Sequence, residues 1–169
     1  MNGSLYAGNQ QRNSSFGRFT FSDLSAGNYE LNLTGVPNAY LPPVSAQVVQ
    51  GENVLNLTVY PLAVFHLIDT PNLAFNGTQP GPIINVKNGT AVRIDISNNT
   101  TQVFSLAIVR NLYDITTDNV LFGSLSNTIS AGGSVNNTFV ASKSGTFYYQ
   151  SMTGNQAREG EYGYFTVTP

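Results

Sequence analysis

Apolar residues along this chain recur at every second position, and no segment keeps a 3.6-residue apolar stripe for three turns. Period two sends successive side chains to opposite faces of an extended backbone, so the pattern dictates sheets with one buried face rather than a helical core. Clusters of Gly, Asn, Ser and Pro punctuate the alternation, as in Ser25-Ala26-Gly27-Asn28 and Asn88-Gly89. The spacing predicts strands over 4–7, 17–22, 28–34, 45–50, 54–60, 64–69, 83–86, 91–97, 103–110, 128–129, 134–141, 145–151 and 163–168. The chain is therefore expected to be all-β. One ladder of strands ends and a second begins near Pro61, which divides the 169 residues into 1–61 and 62–169, two β-sandwich domains in tandem. The first is small for independent stability, so it is expected to lean on the second or on a partner.

Composition removes whole classes of function. Only 9% of residues are charged, whereas 20 Asn, 15 Ser and 16 Thr supply the polar surface. Seven Lys and Arg against nine Asp and Glu leave a net charge of -2, and no basic run exists to follow a nucleic-acid backbone or an anionic membrane. With no Cys, disulfides, thiolate metal sites and a Cys nucleophile are excluded. With His66 as the lone histidine, so are a Ser-His-Asp relay and a zinc or copper site built from several imidazoles. No stretch approaches the roughly 20 apolar residues that span a bilayer. Met1 leads directly into polar Asn2-Gly3-Ser4, without the pattern of a signal peptide, so the chain is expected to be either cytoplasmic or a processed or truncated form.

Sequons decide between these. Asn-x-Ser/Thr occurs at Asn2, Asn13, Asn32, Asn56, Asn76, Asn88, Asn98, Asn99 and Asn136, nine sites where chance placement gives about four. Asn32 in Tyr29-Glu30-Leu31-Asn32-Leu33-Thr34 and Asn56 in Leu55-Asn56-Leu57-Thr58-Val59 fall on the polar parity of their strands, which is the solvent side. The expectation is an extracellular, cell-surface chain bearing N-linked glycans. A Cys-free, charge-poor, Asn/Thr-rich composition with many sequons resembles that of cell-surface proteins of thermoacidophilic archaea. Few ionisable groups also mean little change of charge in acid.

In the first domain, Phe16-Gly17-Arg18-Phe19-Thr20-Phe21-Ser22-Asp23-Leu24-Ser25-Ala26-Gly27-Asn28-Tyr29-Glu30-Leu31 resembles the G-x-F-x-F-x-x-L-x-x-G-x-Y-x-L pattern of prealbumin-like domains, also described as carboxypeptidase-regulatory-like. Tyr40-Leu41-Pro42 and Val48-Val49-Gln50-Gly51-Glu52-Asn53 fit the family's next strands. Phe19, Phe21, Leu24, Tyr29, Leu31 and Leu33 are spaced to point inward from two successive strands. The resemblance implies a further strand ahead of Leu5, for which the chain has little sequence, and that strand is expected from a longer precursor or from another subunit. Some members of the family form an isopeptide bond from a Lys; here the first Lys is Lys87, outside this domain.

In the second domain, the stretch from Phe75-Asn76-Gly77-Thr78 through Gly81-Pro82-Ile83-Ile84-Asn85-Val86 to Ile94 resembles the opening of the first cupredoxin domain of multicopper oxidases. Ile129-Ser130-Ala131-Gly132-Gly133-Ser134 and the run from Gly145-Thr146-Phe147-Tyr148-Tyr149-Gln150-Ser151-Met152 to Gly163 look like its later strands. The resemblance covers about 64–168 and implies a Greek-key sandwich with a His-x-His pair supplied to a copper cluster from each end. Those pairs fall on Phe104 and Leu106 and on Gln150 and Met152. Aligned to blue-copper proteins instead, the ligand positions are Phe104, Ser151, Gln156 and Glu161. Neither set retains an imidazole or a thiolate, so no metal and no cofactor are expected, and Phe104, Leu106 and Met152 read as core.

Three other groups carry weaker chemistry. His66 sits between apolar neighbours and reads as a hydrogen-bonded structural histidine. Glu159 and Glu161 have the look of a glycosidase carboxylate pair without helpers, and read as a solvated loop pair. Tyr148, Tyr149, Tyr162 and Tyr164 read as sandwich aromatics, with a sugar-stacking platform as the alternative. The expected function is that of a non-enzymatic structural protein in a surface filament, pilus-like thread or envelope assembly. Its partners would be other copies of itself or cell-envelope proteins, joined by strand donation. The alternatives are a copper-free docking subunit of an exterior redox complex and a carbohydrate-binding adhesion module.

Overall fold

A computed structural model describes residues 4–13 and 18–169. The chain divides into two compact units, Met1–Pro61 and Leu62–Pro169.

In the first unit, β1 (Ser4–Ala7), β2 (Gln10–Asn13), β3 (Gly27–Thr34) and, after the two-residue β4 (Ala39–Tyr40), β5 (Val44–Val48) are laid down. They form one antiparallel sheet in the order β2-β1-β3-β5, while β4 pairs with Tyr60 and Pro61 at the start of β6 (Tyr60–Thr70). Leu5, Ala7 and Leu31 alternate inward and are buried, with Phe19, Phe21, Leu24, Leu33, Leu41 and Leu57 packed around them. Two expected strands are not formed. Residues 19–22 and 54–59 make no ladder, because alternation selects a face but a strand also needs a neighbour's backbone. Asp23, with φ of 63°, ends the extended run after Phe21. Val54, 77% exposed, turns to solvent while Leu57 packs on the sheet. Gly17 lies outside the described residues. Conversely, polar Gln10–Asn13 folds back on β1 across Gly8-Asn9, with Gly8 at φ of 59°.

The second unit continues β6 and adds β7 (Ala74–Phe75), β8 (Gly81–Lys87), β9 (Thr90–Asn98), β10 (Leu106–Val109), β11 (Ser134–Ala141), β12 (Gly145–Ser151) and β13 (Tyr162–Thr168). One sheet runs β10-β12-β13-β8, and in the other β11, β9 and β6 lie in that order with β7 on β6. The pairs β13/β8 and β6/β9 are parallel, and the other ladders are antiparallel. This is the expected all-β, cupredoxin-like sandwich.

Its interior is graded along the strands. Inward positions on β12 run Phe147, Tyr149, Ser151, and those opposite them run Phe165, Gly163 and Glu161. On the other sheet, β9 presents Val92, Ile94, Ile96 and then Asn98, and β6 presents Phe65, Leu67 and then Asp69 beside Asn98. At the apolar end, Phe122 stacks on Phe139 with ring centroids 5.9 Å apart and meets Phe147 edge-on at 5.6 Å. Midway, the Tyr149 hydroxyl donates to the Pro82 carbonyl at 2.7 Å, and its phenol occupies the space that a Cβ on Gly81 or Gly163 would take. At the far end all four strand paths finish on buried polar side chains: Asp69, Asn98, Ser151 and Glu161.

Candidate functional site

The polar end of the second sandwich holds the positions that the family resemblance assigns to metal ligands. Strand alternation splits them across β12. Gln150 and Met152 share one face, and Ser151 lies on the other with Gln156 and Glu161.

On the first face, Gln150 is fully buried and its amide is spent on the loop after β10. Its Oε1 accepts the Tyr113 N–H at 2.8 Å, and its Nε2 donates to the Asp114 carbonyl at 3.0 Å with the Met152 sulfur 3.7 Å away. Met152 is half-buried rather than core, since the strand ends at Ser151 and the chain turns toward the surface. Leu106 pairs with Ser151 and so belongs to the opposite, inward face; it is 1% exposed, and its N–H donates to the Ser126 hydroxyl at 2.9 Å. Phe104 is fully buried, with its ring 6.2 Å from that of Phe75. Both are core, as their parity predicts.

On the second face, a chain of side chains is closed on itself. The Ser151 hydroxyl donates to Gln156 Oε1 at 2.7 Å, and Gln156 Nε2 donates to Gln102 Oε1 at 2.9 Å. Asn98 Nδ2 donates to the carbonyls of Gln102 and Ile129 at 2.7 and 3.1 Å, while its Oδ1 accepts from the N–H and hydroxyl of Thr100 at 2.9 and 2.8 Å. Beside this chain, Glu161 and Asp69 approach within hydrogen-bonding reach of each other. Burial, then the neighbouring Asp69 carboxyl, pushes Glu161 up to about 8, and burial likewise raises Asp69. Glu161 is therefore no solvated loop residue. The turn at Gly160 carries it under the sandwich, whereas Glu159 stays exposed. Asp69, Asn98 and Gln102 belong to this site without any local motif to mark them. The available signal is parity: Asp69 shares the inward side of Phe65 and Leu67, and Asn98 that of Ile94 and Ile96.

These residues do not fit copper. The donor set offers no imidazole and no thiolate, its Ser and Gln groups already satisfy each other, and Phe104 fills one ligand position with a ring. Among the described residues no three His, Cys, Asp or Glu converge in a way that could hold a metal ion.

The other sequence candidates disperse. The His66 side chain is 75% exposed, with Nδ1 3.5 Å from the Asp95 carboxylate, so it lies on an outer face rather than within the structure. Tyr149 is buried, and burial pushes its phenol pKa upward. Tyr148, Tyr162 and Tyr164 instead form a surface ribbon, with centroids 5.6 Å apart for Tyr148 and Tyr164 and 6.3 Å apart for Tyr162 and Tyr164. Tyr113 extends it, meeting Tyr162 edge-on at 5.8 Å under the Arg158 guanidinium. Of the sequons, Asn13, Asn32, Asn56, Asn76, Asn88, Asn99 and Asn136 are exposed, and Asn2 lies outside the described residues. Asn98 is fully buried with its amide nitrogen on two carbonyls, which leaves no room for a sugar and removes it from the set of glycan positions.

The multicopper oxidase family profile matches residues 65–169. No curated protein gives a significant match to the chain. Among solved structures, auracyanin from the photosynthetic bacterium Roseiflexus castenholzii superposes with a TM-score of 0.53 at 20% identity, over 63% of this chain and 97% of its own. The laccase from Botrytis aclada gives 0.51 at 24% identity over 64% of this chain, and the blue copper oxidase from Nitrosomonas europaea 0.53 at 22% over 64%. This chain spans only 22% and 39% of those two enzymes. The likeness shows a shared fold, and the match over more than half the sequence establishes that the chain belongs to the multicopper oxidase family.

Proposed function

We propose that this protein is a non-enzymatic, N-glycosylated structural protein of the cell exterior, a subunit of a surface filament, pilus-like thread or envelope assembly. The observation that carries the reading is the conversion of the family's metal positions into structural ones. Phe104 and Leu106 pack the core, Gln150 pins the 113–114 loop, and Ser151 and Gln156 satisfy each other. Without those ligands the fold is a rigid block rather than a redox centre.

The first unit supports assembly. Its single sheet packs one face against segments that make no ladder, around a cleft of about 1310 Å³ lined by Leu5, Leu31, Leu33, Phe19 and Phe21. Such a face fits the alternate apolar side chains of a strand from a second copy, as the prealbumin-like resemblance implies. Imaging of surface material from the native source by cryo-electron microscopy tests the reading. The expected result is a repeating thread in which a strand of one copy completes the first unit of the next. A monodisperse monomer with that cleft closed by its own chain contradicts it.

A second reading has one specific observation behind it. The Tyr148, Tyr164, Tyr162 and Tyr113 ribbon presents aromatic surface of the kind that stacks on sugars. Glycan binding that is lost in Tyr162→Ala would favour an adhesion module over a purely structural subunit.

A further inference from the structure

Two carboxyl groups meet inside the second unit. Asp69 is the penultimate residue of β6 in one sheet and Glu161 immediately precedes β13 in the other, and they are 2% and 0% exposed. Asp69 Oδ1 and both Glu161 oxygens are buried without any hydrogen-bond donor. The nearby donors are already committed: the Ser151 hydroxyl to Gln156 Oε1, and the Thr100 hydroxyl to Asn98 Oδ1. The Thr70 N–H and the Thr100 hydroxyl bear on the Asp69 carboxyl and the Ser151 hydroxyl on Glu161, but both hydroxyls donate to other acceptors. The one further charge bearing on the pair is Glu159, from the turn before β13, and it is also negative; among the described residues no Lys, Arg or His acts on either carboxyl.

Two adjacent anions in a dry interior repel and are each poorly solvated. One proton between them removes a charge and turns the contact into an O–H···O⁻ hydrogen bond, which satisfies an orphaned oxygen on each side. We propose that Asp69 and Glu161 bind a single proton between them and keep it at neutral pH, a proton site standing where the family carries metal ligands, so that acid stabilises this sandwich and alkali loosens it.

The sign follows from linkage. Burial, then the Asp69 carboxyl, pushes Glu161 up to about 8 in the folded chain, against 4.5 for an ordinary glutamate. Between those values the folded state holds a proton that the unfolded chain has lost, so stability is full below the window and falls as pH rises through it. This is the reverse of a salt-bridged carboxylate, which loses stability in acid. The inference is independent of the assembly role, because it concerns the folding of one chain.

Thermal unfolding of the full-length protein between about pH 4 and about pH 9 tests it, with Glu161→Gln and Asp69→Asn in parallel. The wild-type midpoint is expected to fall across the upper half of that range. Both variants are expected to flatten the slope, and Glu161→Gln, whose amide donates permanently to Asp69, is expected to melt above wild type at the alkaline end. Infrared spectroscopy of the wild-type protein in heavy water should show a protonated-carboxyl stretch persisting at neutral pH, a readout independent of how well any variant folds. A wild-type midpoint that is flat or rises across the window overturns the proposal, as does the absence of that band. Sodium or calcium raising the alkaline midpoint in wild type but not in Glu161→Gln would also overturn it, by making the pair a cation site.

Discussion

Truncating Gln150 to Ala tests whether a ligand position has become a structural one. Gln150 is fully buried, and its amide satisfies the Tyr113 N–H at 2.8 Å and the Asp114 carbonyl at 3.0 Å. Each of those hydrogen bonds contributes about 1 kcal/mol net, and the buried methylene lost with them about 0.8 kcal/mol. The sum, about 3 kcal/mol, is a large fraction of a domain's stability and corresponds to a midpoint lowered by roughly 10 °C. The 113–114 loop lies at the surface, so water can reach the abandoned groups; this keeps the cost from climbing to that of two dry orphans. Urea denaturation of the full chain measures the loss, and hydrogen exchange locates it, with the Tyr113 amide expected to lose protection while β9 amides keep theirs. A loss below about 0.5 kcal/mol, or unchanged protection at Tyr113, refutes the assignment of Gln150 as the pin of this loop.

Glycopeptide mass spectrometry of native material should find sugars among Asn32, Asn56, Asn99 and Asn136 and none on buried Asn98; a glycan on Asn98 contradicts the hydrogen bonding described for it. Asn98→Ala removes four hydrogen bonds at the polar end and should cost about 4 kcal/mol in denaturant midpoint analysis. Gly163→Ala places a methyl group into the Tyr149 ring and should cost more than about 2 kcal/mol. Adding Tyr149→Phe should recover part of that, since the hydroxyl is among the atoms struck; no recovery would place the strain elsewhere.

Much of the second sandwich was legible because its alternation is long and clean. Ser134–Ala141 and Gly145–Ser151 are strands at the expected bounds, and Thr90–Asn98 differs by one residue at each end. The first unit was harder, because Val54-Leu55-Asn56-Leu57 alternates without a partner strand and Gln10-Gln11-Arg12-Asn13 pairs without apolar alternation. Pairing is a property of two backbones, and one segment's pattern reports only its own faces. At the site, Phe104 and Leu106 were readable as core from side-chain chemistry. Glu161 was not, since Glu159-Gly160-Glu161 has the local composition of a solvated turn and its buried neighbour Asp69 is distant in sequence. His66 failed in the other direction: its apolar neighbours are Phe65 and Leu67, which face inward, so it must face out.

The side chains at 104, 106, 150 and 152 imply that this member of the multicopper oxidase family binds no copper. Incubating the purified full chain with cuprous and then cupric ions, removing excess by gel filtration and counting retained copper by mass spectrometry tests that claim most directly. The prediction is less than a tenth of an equivalent retained, to order of magnitude, with no visible charge-transfer band and no shift in the unfolding midpoint. About one equivalent held per chain, with a raised midpoint that is lost on substituting Gln156 or Glu161, would contradict it.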